Sequence, residues 1–208
     1  MSSKQFFNEV AGEWDAMRAN FYSEGVREKA FDRAGVRAGQ LAADLGAGTG
    51  FITEGLLRRG LNVVAVDQSE AMLAKMRTKF QGAADRIDYR AGEALSLPLA
   101  DGSVEHVFAN MYLHHVEDPA RAIAEMARVL KPGGRVTITD VFEHPFEFLK
   151  TEHHDRWLGF RREALEEWLW AAGLCEVSVD DLGEECRVPS AAGGEAALMN
   201  IFVASGRK

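Results

Sequence analysis

A short apolar strand that runs into a glycine-rich turn constrains this sequence most. The stretch is Leu41-Ala42-Ala43-Asp44-Leu45-Gly46-Ala47-Gly48-Thr49-Gly50, with glycines at alternate positions of the turn. Glycine tolerates positive φ and lets the backbone approach a ligand without an intervening Cβ. A helical pattern begins at residue 51, and a helix N-terminus offers N–H groups to an anionic or carboxylate group. The stretch therefore predicts a strand–turn–helix ligand site.

Strand and helix patterns alternate after this turn, which is typical of parallel β/α units. Asp118 is a suitable N-cap and Pro119 fits the first position of a helix over about 119–130, which the Lys131–Gly134 run ends. The predicted strands are 41–45, 61–66, about 86–90, 104–109, 135–140, about 175–181 and 197–204, and another helix lies near 161–172. The last two strands have no helical crossover between them and should pair antiparallel.

The residues before the first strand contain two amphipathic helical patterns. Phe7, Val10, Ala11 and Trp14 follow helical spacing, as do apolar residues within 22–34. We expect residues 1–40 to form a helical lid over the carboxyl edge of a 41–208 core, the whole of 1–208 being one domain. The aromatic side chains that would face the ligand are Phe7, Trp14, Phe21 and Tyr22. The alternative is that these helices only pack on the sheet.

Charge and composition narrow the partners. The 208 residues carry a net charge of −8 and the pI is about 5.3. Such a chain has no basic field to attract nucleic acid or an anionic membrane, so a small-molecule substrate is expected. Cys175 and Cys186 are too few for a disulfide framework, and no apolar run suggests a signal or membrane-spanning segment. A cytoplasmic location is the resulting expectation, as a monomer or homodimer.

The glycine turn fits two ligand classes. Dinucleotide-binding enzymes use G-x-G-x-x-G, whereas Gly50 comes one residue early here and gives G-x-G-x-G. Asp67 ends the second strand, where a carboxylate accepts hydrogen bonds from ribose hydroxyls in either class. The turn and Asp67 alone leave both classes open.

Three later motifs distinguish the classes. They are Arg90-Ala91-Gly92-Glu93-Ala94 with Leu97-Pro98, the run from Asn110 to Pro119, and the run from Arg128 to Gly134. In this order and spacing, residues 41–140 resemble the class I S-adenosylmethionine-dependent methyltransferases, specifically the small-molecule group that includes the ubiquinone and menaquinone biosynthesis enzymes. The later residues 153–174 are similar to methyltransferase domains found beside ArsR-type regulators. The resemblance implies a Rossmann-like three-layer α/β sandwich, with a seven-stranded, mostly parallel sheet whose last strand is antiparallel.

The resemblance also implies a set of cofactor-binding residues. Asp44 and the turn would surround the methionine end, Asp67 would bind the ribose, and Met72 would cover the adenine. The full set is Asp44, Gly46, Ala47, Gly48, Thr49, Gly50, Asp67, Gln68, Met72, Gly92, Glu93, Ala94, Asn110 and Met111. Carboxylates suit a cationic sulfonium and would repel a pyrophosphate, so S-adenosyl-L-methionine is favoured over a dinucleotide and NAD-dependent oxidation is the weaker alternative.

Methyl transfer from a sulfonium needs alignment of the reactants and exclusion of water, and a base only if the acceptor must lose a proton. His114 and His115 follow the fourth strand and are the candidate catalytic residues, with Tyr112 as a weaker one; packing of the loop is the alternative role of the two histidines. A second polar cluster contains His144, His153, His154 and Asp155, for which an acceptor pocket, a metal site and a solvated loop are all open.

The spacing of that cluster matches no tight metal motif, so no metal is predicted. The predicted function is S-adenosylmethionine-dependent methyl transfer to a small molecule that the sequence does not identify. The alternative from another class is a module that binds or senses S-adenosylmethionine without turnover.

Overall fold

The computed structural model describes residues 3–191 and 193–208. Seven strands form one sheet: β1 (Leu41–Leu45), β2 (Asn62–Asp67), β3 (Ile87–Ala91), β4 (Val104–Asn110), β5 (Leu130–Val141), β6 (Cys175–Val188) and β7 (Ala197–Arg207). Their order is β3-β2-β1-β4-β5-β7-β6. Neighbours from β3 to β5 are parallel, and β7 is antiparallel to both β5 and β6. The predicted seven-stranded, mostly parallel sheet is confirmed.

Helices cover both faces of this sheet. They are α1 (Ser3–Val10), α2 (Trp14–Ala19), α3 (Gly25–Ala34), α4 (Phe51–Arg58), α5 (Glu70–Lys79), α6 (Pro119–Val129), α7 (Phe148–Glu152) and α8 (Arg162–Ala171). On one face, Ile123 of α6 and Leu165 of α8 belong to a core with β4 and β5, whereas Phe31 of α3 and Leu56 of α4 pack on the other. The three-layer sandwich therefore buries both faces of the parallel strands, as such sheets require.

Local signals fix two of the helices that surround the site. Asp118 caps α6 by accepting from the Arg121 N–H at 3.0 Å, and Pro119 occupies the first turn. Ser69 caps α5 through its Oγ, which accepts from the Met72 N–H at 3.1 Å. Both caps follow a strand of the sheet after a short connection, so the helices begin beside the edge where the ligand site is predicted.

Several element bounds differ from the sequence prediction. The Phe7–Trp14 spacing suggested a continuous helical face, but α1 ends at Val10 and α2 begins at Trp14 because a turn containing Gly12, a poor helix former, separates them. The second predicted helix begins at Gly25 instead of Tyr22. The last two strands are longer than predicted, and β5 already starts at Leu130, with a register irregularity opposite Val104 and His106.

A membrane-spanning helix is not found in the part of the chain that the structure describes, because none of its helices combines the necessary length with an apolar character.

Candidate active site

A cavity of about 290 Å³ opens at the carboxyl ends of β1, β2 and β4. The strand order reverses between β1 and β4, and ligands of open α/β sheets bind at such a reversal. Twelve of the fourteen predicted cofactor residues line this cavity: Asp44, Gly46, Ala47, Gly48, Thr49, Asp67, Gln68, Met72, Glu93, Ala94, Asn110 and Met111. Residues that follow four different strands thus meet at one place.

Gly50 and Gly92 are outside the lining of this cavity. A Cβ on Gly50 would lie 2.5 Å from the Phe80 ring, and one on Gly92 would lie 2.6 Å from Pro98. Both glycines therefore permit close packing between protein segments. Their part in cofactor binding stays a prediction.

Gly46 has a different neighbour, which sequence reasoning did not predict. Its φ is +64°, and a Cβ there would lie 2.2 Å from the Tyr112 side chain. The space that a ligand was expected to use beside Gly46 is thus filled by the Tyr112 ring, which itself lines the cavity. Gly46 joins the turn after β1 to the loop after β4.

Asp44 lies in β1, and its buried carboxyl group reaches the N-terminal turn of α4. Its Oδ2 accepts from the Thr53 N–H at 3.0 Å and from the Thr53 hydroxyl at 2.6 Å. Burial raises the pKa of Asp44 to about 7, against the lowering effect of the two Thr53 hydrogen bonds. The protein thus places its own carboxylate where a dinucleotide enzyme offers free N–H groups to pyrophosphate. This arrangement disfavours a polyanionic ligand.

Asp67 holds the glycine turn to the end of β2. Its Oδ2 accepts from the Gly48 N–H and its Oδ1 from the Ser69 N–H, both at 2.8 Å. Burial raises the pKa of this carboxyl, and the backbone hydrogen bonds oppose that shift. Each carboxylate oxygen has a second lone pair, so both can also accept from a ligand hydroxyl.

The N-terminal helices contact the glycine turn and the start of α5. The Thr49 hydroxyl donates to Asp15 Oδ1 at 2.5 Å, and the Ser69 hydroxyl to Asn8 Oδ1 at 2.6 Å. Three of the four aromatic residues predicted to face the ligand, Phe7, Trp14 and Tyr22, line the large cavity. These contacts place α1 and α2 over the carboxyl edge of the sheet.

A second, smaller cavity of about 60 Å³ adjoins the first. The two share five lining residues, which are Phe7, Trp14, Tyr22, Met111 and His115. The residues that line only the smaller cavity are Phe6, Phe21, His114, Val141, Leu149, His153, Asp155, Cys186, Val188 and Met199. The smaller cavity is thus mainly apolar, with imidazoles and one carboxyl grouped in its wall.

His114 is held between two carboxyl groups. Its Nδ1 donates to Asp140 Oδ1 at 2.6 Å, and its Nε2 lies 3.7 Å from Asp155 Oδ1. Burial disfavours the imidazolium, but the charges of Asp140 and Asp155 outweigh this effect and raise the pKa of His114 to about 9. The His114 carbonyl accepts from the Arg156 and Trp157 N–H groups at 3.0 and 3.1 Å, which holds the 155–157 segment beside it.

His115 has the opposite electrostatic environment. Burial and the neighbouring His114 lower its pKa well below the usual value. Its Nδ1 is buried without a hydrogen-bond partner and lies 3.8 Å from Asp155 Oδ1. Burial raises the pKa of Asp155 to about 6, although His114 opposes the shift. The two adjacent histidines therefore differ in character, and both meet Asp155.

The residues of the second polar cluster divide between the cavity wall and positions outside it, and the aromatic residues near this cluster lie outside both cavities. His153 and Asp155 line the smaller cavity, whereas His144 and His154 do not. The aromatic residues Phe142, Phe146, Phe148 and Trp157 are also outside both linings. Phe142 packs on Phe202, and the Trp157 indole N–H donates to the Val116 carbonyl at 2.8 Å.

Sequence reasoning missed Asp140, Cys186 and Arg156. Asp140 ends a predicted strand, as Asp44 and Asp67 nearly do, and that position was an available signal for a residue at the carboxyl edge. Cys186 reaches the smaller cavity from β6, and its burial raises the pKa of the thiol to about 12. Arg156 brings a guanidinium to the larger cavity. No local pattern marks either of these two residues.

Known proteins match this chain in sequence and in fold. Residues 43–138 match a family described as a methyltransferase domain. A demethylmenaquinone methyltransferase of Thermobifida fusca is 37% identical over 161 residues, covering 74% of this chain and 65% of that protein. The enzyme of the same name from Renibacterium salmoninarum is 37% identical over 143 residues, covering 67% and 58%. The chain thus spans about three fifths of the length of these relatives.

Solved structures extend the match to the whole fold. A methyltransferase in complex with the Haloferax volcanii Trm112 activator superposes with a TM-score of 0.79 at 21% identity, covering 97% of this chain and 96% of that one. The sequence relatives and the shared fold agree with the resemblance carried by residues 41–140. This chain belongs to the class I S-adenosylmethionine-dependent methyltransferase family.

Proposed function

We propose that this protein transfers a methyl group from S-adenosylmethionine to a small acceptor held in the smaller, apolar cavity. The observation that carries the proposal is the pair of adjoining cavities with five shared lining residues. Methyl transfer requires donor and acceptor on either side of one methyl group, in line. Two adjacent chambers of unequal polarity provide such an arrangement.

The larger cavity suits the methyl donor. Its lining includes the carboxyl groups of Asp44, Asp67, Glu93 and Glu117, with Arg156 as a cationic side chain. Bound S-adenosylmethionine would supply a methyl group already activated by a positive sulfur. Asp67 would bind the ribose hydroxyls, Met72 would cover the adenine, and Asp44 with the glycine turn would lie near the methionine end. Gln68, Asn110 and Met111 would complete the contacts.

The N-terminal segment would act as a lid in this function. Asp15 and Asn8 of this segment accept hydrogen bonds from the Thr49 and Ser69 hydroxyls, which hold it against the cofactor side. Phe7 and Trp14 extend into both cavities. A lid of this kind excludes water, which otherwise competes as a nucleophile and weakens electrostatic interactions in the site.

The smaller cavity indicates the acceptor class. Its aromatic and aliphatic lining favours an acceptor with an apolar ring or chain, and His114 and His115 would face the atom that is methylated. The relatives named as demethylmenaquinone methyltransferases make a hydroquinone ring a reasonable first acceptor to test.

The decisive experiment combines binding and turnover. Calorimetry with S-adenosylmethionine should give one site per chain, and an acceptor panel of hydroquinones, phenols, catechols and aromatic amines should yield S-adenosylhomocysteine with at least one member. His115→Ala should lower turnover and leave cofactor affinity unchanged. Tight binding without turnover on any acceptor would favour the non-catalytic binding module. Stabilisation by a dinucleotide and not by S-adenosylmethionine would contradict the assignment.

A further inference from the structure

We propose that His114, His115 and Asp155 form a binding site for one divalent transition-metal ion in the wall of the smaller cavity. One donor atom from each residue lies within 4.8 Å of the other two. Two imidazoles and one carboxylate form a ligand set that Zn²⁺, Fe²⁺ and related ions accept, leaving further coordination positions open. The sequence predicted no metal because Asp155 lies 40 positions after His115, and only the fold brings it beside the two histidines.

The donor spacing is close to that of a filled site. Asp155 Oδ1 lies 3.7 Å from His114 Nε2 and 3.8 Å from His115 Nδ1. Tetrahedral ligands at roughly 2.1 Å from a metal are roughly 3.4 Å apart from one another. Two of the three separations are therefore within a few tenths of an ångström of this value, and the third, between the two imidazole nitrogens, is within 4.8 Å. Both separations are longer than a hydrogen bond, so no hydrogen bond joins these donor atoms directly.

His115 provides an independent indication. Its Nδ1 is buried and has no hydrogen-bond partner. A buried polar atom without a partner is costly, and most such atoms in proteins are paired. A metal ion at the centre of the three donors would pair this nitrogen.

Asp140 gives His114 the support that a metal-binding histidine usually has. The Asp140 side chain is fully buried, and its Oδ1 accepts from His114 Nδ1 at 2.6 Å. With Nδ1 bound to Asp140, Nε2 is the nitrogen that faces Asp155 and that would exchange its proton for a metal ion. Metal-bound histidines typically donate their other ring nitrogen to a carboxylate or carbonyl in this way.

Charge also favours a divalent cation. Asp140 and Asp155 bring two carboxyl groups to a mainly apolar region. A divalent ion that displaces the Nε2 proton of His114 would supply the charge that balances them. Burial of charge is tolerated only when it is compensated. His153 and Cys186 line the same cavity.

The role of the metal rests on the proposed function, whereas its binding does not. An acceptor hydroxyl at an open position of the ion would lose its proton to solvent more readily. Its oxygen lone pair would form the bond to the methyl carbon, and the electrons of the broken carbon–sulfur bond would remain on sulfur, giving S-adenosylhomocysteine. The site therefore favours acceptors with an ionisable, metal-binding hydroxyl, such as a catechol or a hydroxyl beside a carbonyl.

The site is tested by titrating Co²⁺ into untagged protein from which a chelator has removed metal. The visible absorption of bound Co²⁺ reports binding, and Zn²⁺ serves as the competitor. We expect saturation at one ion per chain. Asp155→Ala and His115→Ala should abolish it, Asp140→Asn should weaken it by about 10- to 100-fold, and His153→Ala, a histidine of the same cavity outside the triad, should bind normally. Far-ultraviolet circular dichroism checks folding, and His115→Gln replaces His115→Ala if the latter does not fold.

Two results would overturn the metal site: no saturable binding to the stripped protein, or equal binding by the variants of His115 and Asp155. S-adenosylmethionine calorimetry and turnover on the stripped protein separate this proposal from the first. Cofactor binding with full turnover after stripping would refute the role of the metal and leave methyl transfer standing. Loss of turnover that Zn²⁺, Co²⁺ or Fe²⁺ restores would support both.

Discussion

The two adjoining cavities are built in different ways. The lining of the larger one comes mostly from short runs that directly follow β1, β2, β3 and β4, whereas the smaller one collects side chains from Phe6 to Met199. Short runs at strand ends are fixed by the backbone of the sheet. A cavity assembled from distant segments depends on how loops and N-terminal helices pack. In the proposed function, the sheet therefore fixes the geometry of the donor side, whereas the geometry of the acceptor side depends on how loops and helices pack.

Gly46→Ala should have the largest effect on this arrangement, because it separates the turn after β1 from the loop after β4. A left-handed backbone costs a non-glycine residue about 1 kcal/mol, and the clash with Tyr112 adds roughly 1–3 kcal/mol. Chemical denaturation should show a loss of about 2–4 kcal/mol in the free energy of unfolding.

Gly35→Ala is the matched control, since its φ of +65° is nearly that of Gly46 and nothing lies within 4 Å of its Cβ position. It should lose only about 1 kcal/mol. The double variant Gly46→Ala/Tyr112→Ala should recover the steric part. Equal losses for the two single variants would show that Tyr112 does not constrain the turn.

Asp67→Ala tests the donor side alone. Losing charge-assisted hydrogen bonds to two ribose hydroxyls should weaken S-adenosylmethionine binding by about 1.5–3 kcal/mol, or roughly 10- to 150-fold in Kd. Calorimetry measures this change, and Asp88→Ala on the neighbouring strand is the exposed control. The Kd of Asp67→Asn should lie between those of Asp67→Ala and Asp88→Ala, because the asparagine keeps one acceptor oxygen. An unaltered Kd for Asp67→Ala would remove the residue from the cofactor site.

The difference between the cavities also explains what the sequence could predict. Gly46, Gly48 and Asp67 follow predicted strands within a few residues, so the parallel sheet alone brings them together. The donor side was therefore accessible from local pattern. The seven strands could also be predicted from local pattern. Their arrangement in a mostly parallel sheet with an antiparallel last strand came from the family resemblance.

The acceptor side was less accessible for a physical reason. His114 and Asp155 meet only because the segment after α7 binds the His114 carbonyl through two backbone N–H groups. Cys186 arrives from β6, which was predicted to end several residues earlier. Contacts between segments so far apart in sequence depend on tertiary packing, which leaves no periodic signal. The prediction of one continuous helical face from Phe7 to Trp14 was wrong for a different reason. The turn at Gly12 interrupts the helix although the apolar spacing continues through it.

Phe21→Ala tests whether the acceptor side is separable from the donor side. Phe21 lines the smaller cavity and not the larger one, and Gln68 does the reverse. Removing the Phe21 ring should weaken acceptor binding by about 1–2 kcal/mol, which raises the acceptor KM roughly 5- to 30-fold. The Kd for S-adenosylmethionine should not change. Steady-state kinetics with the acceptor found in the panel would measure the KM. Gln68→Ala should raise the cofactor Kd and leave the acceptor KM unchanged. If both variants changed the cofactor Kd and the acceptor KM together, the two cavities would not be separable binding sites.

The smallest effect concerns pH on the donor side. The pKa of Asp44 is about 7, raised by burial, so the carboxyl is largely neutral below pH 7 and ionised above it. A cationic ligand beside it favours the ionised form, and binding should therefore strengthen as pH rises through 7 and become constant above 8. About one tenth of the carboxyl is ionised at pH 6, which gives a Kd about tenfold weaker there than at pH 8.

Asp44→Asn supplies the comparison for this pH dependence. Its side-chain oxygen can still accept from Thr53, but it does not titrate, so its affinity should vary less with pH than that of the wild type. Titrations with S-adenosylmethionine between pH 5.5 and 8.5 would measure both curves. The variant also corrects for ionisation of the ligand's own amino group, which affects both proteins alike. Parallel curves would mean that Asp44 only supports α4 and takes no part in recognising the charge of the cofactor.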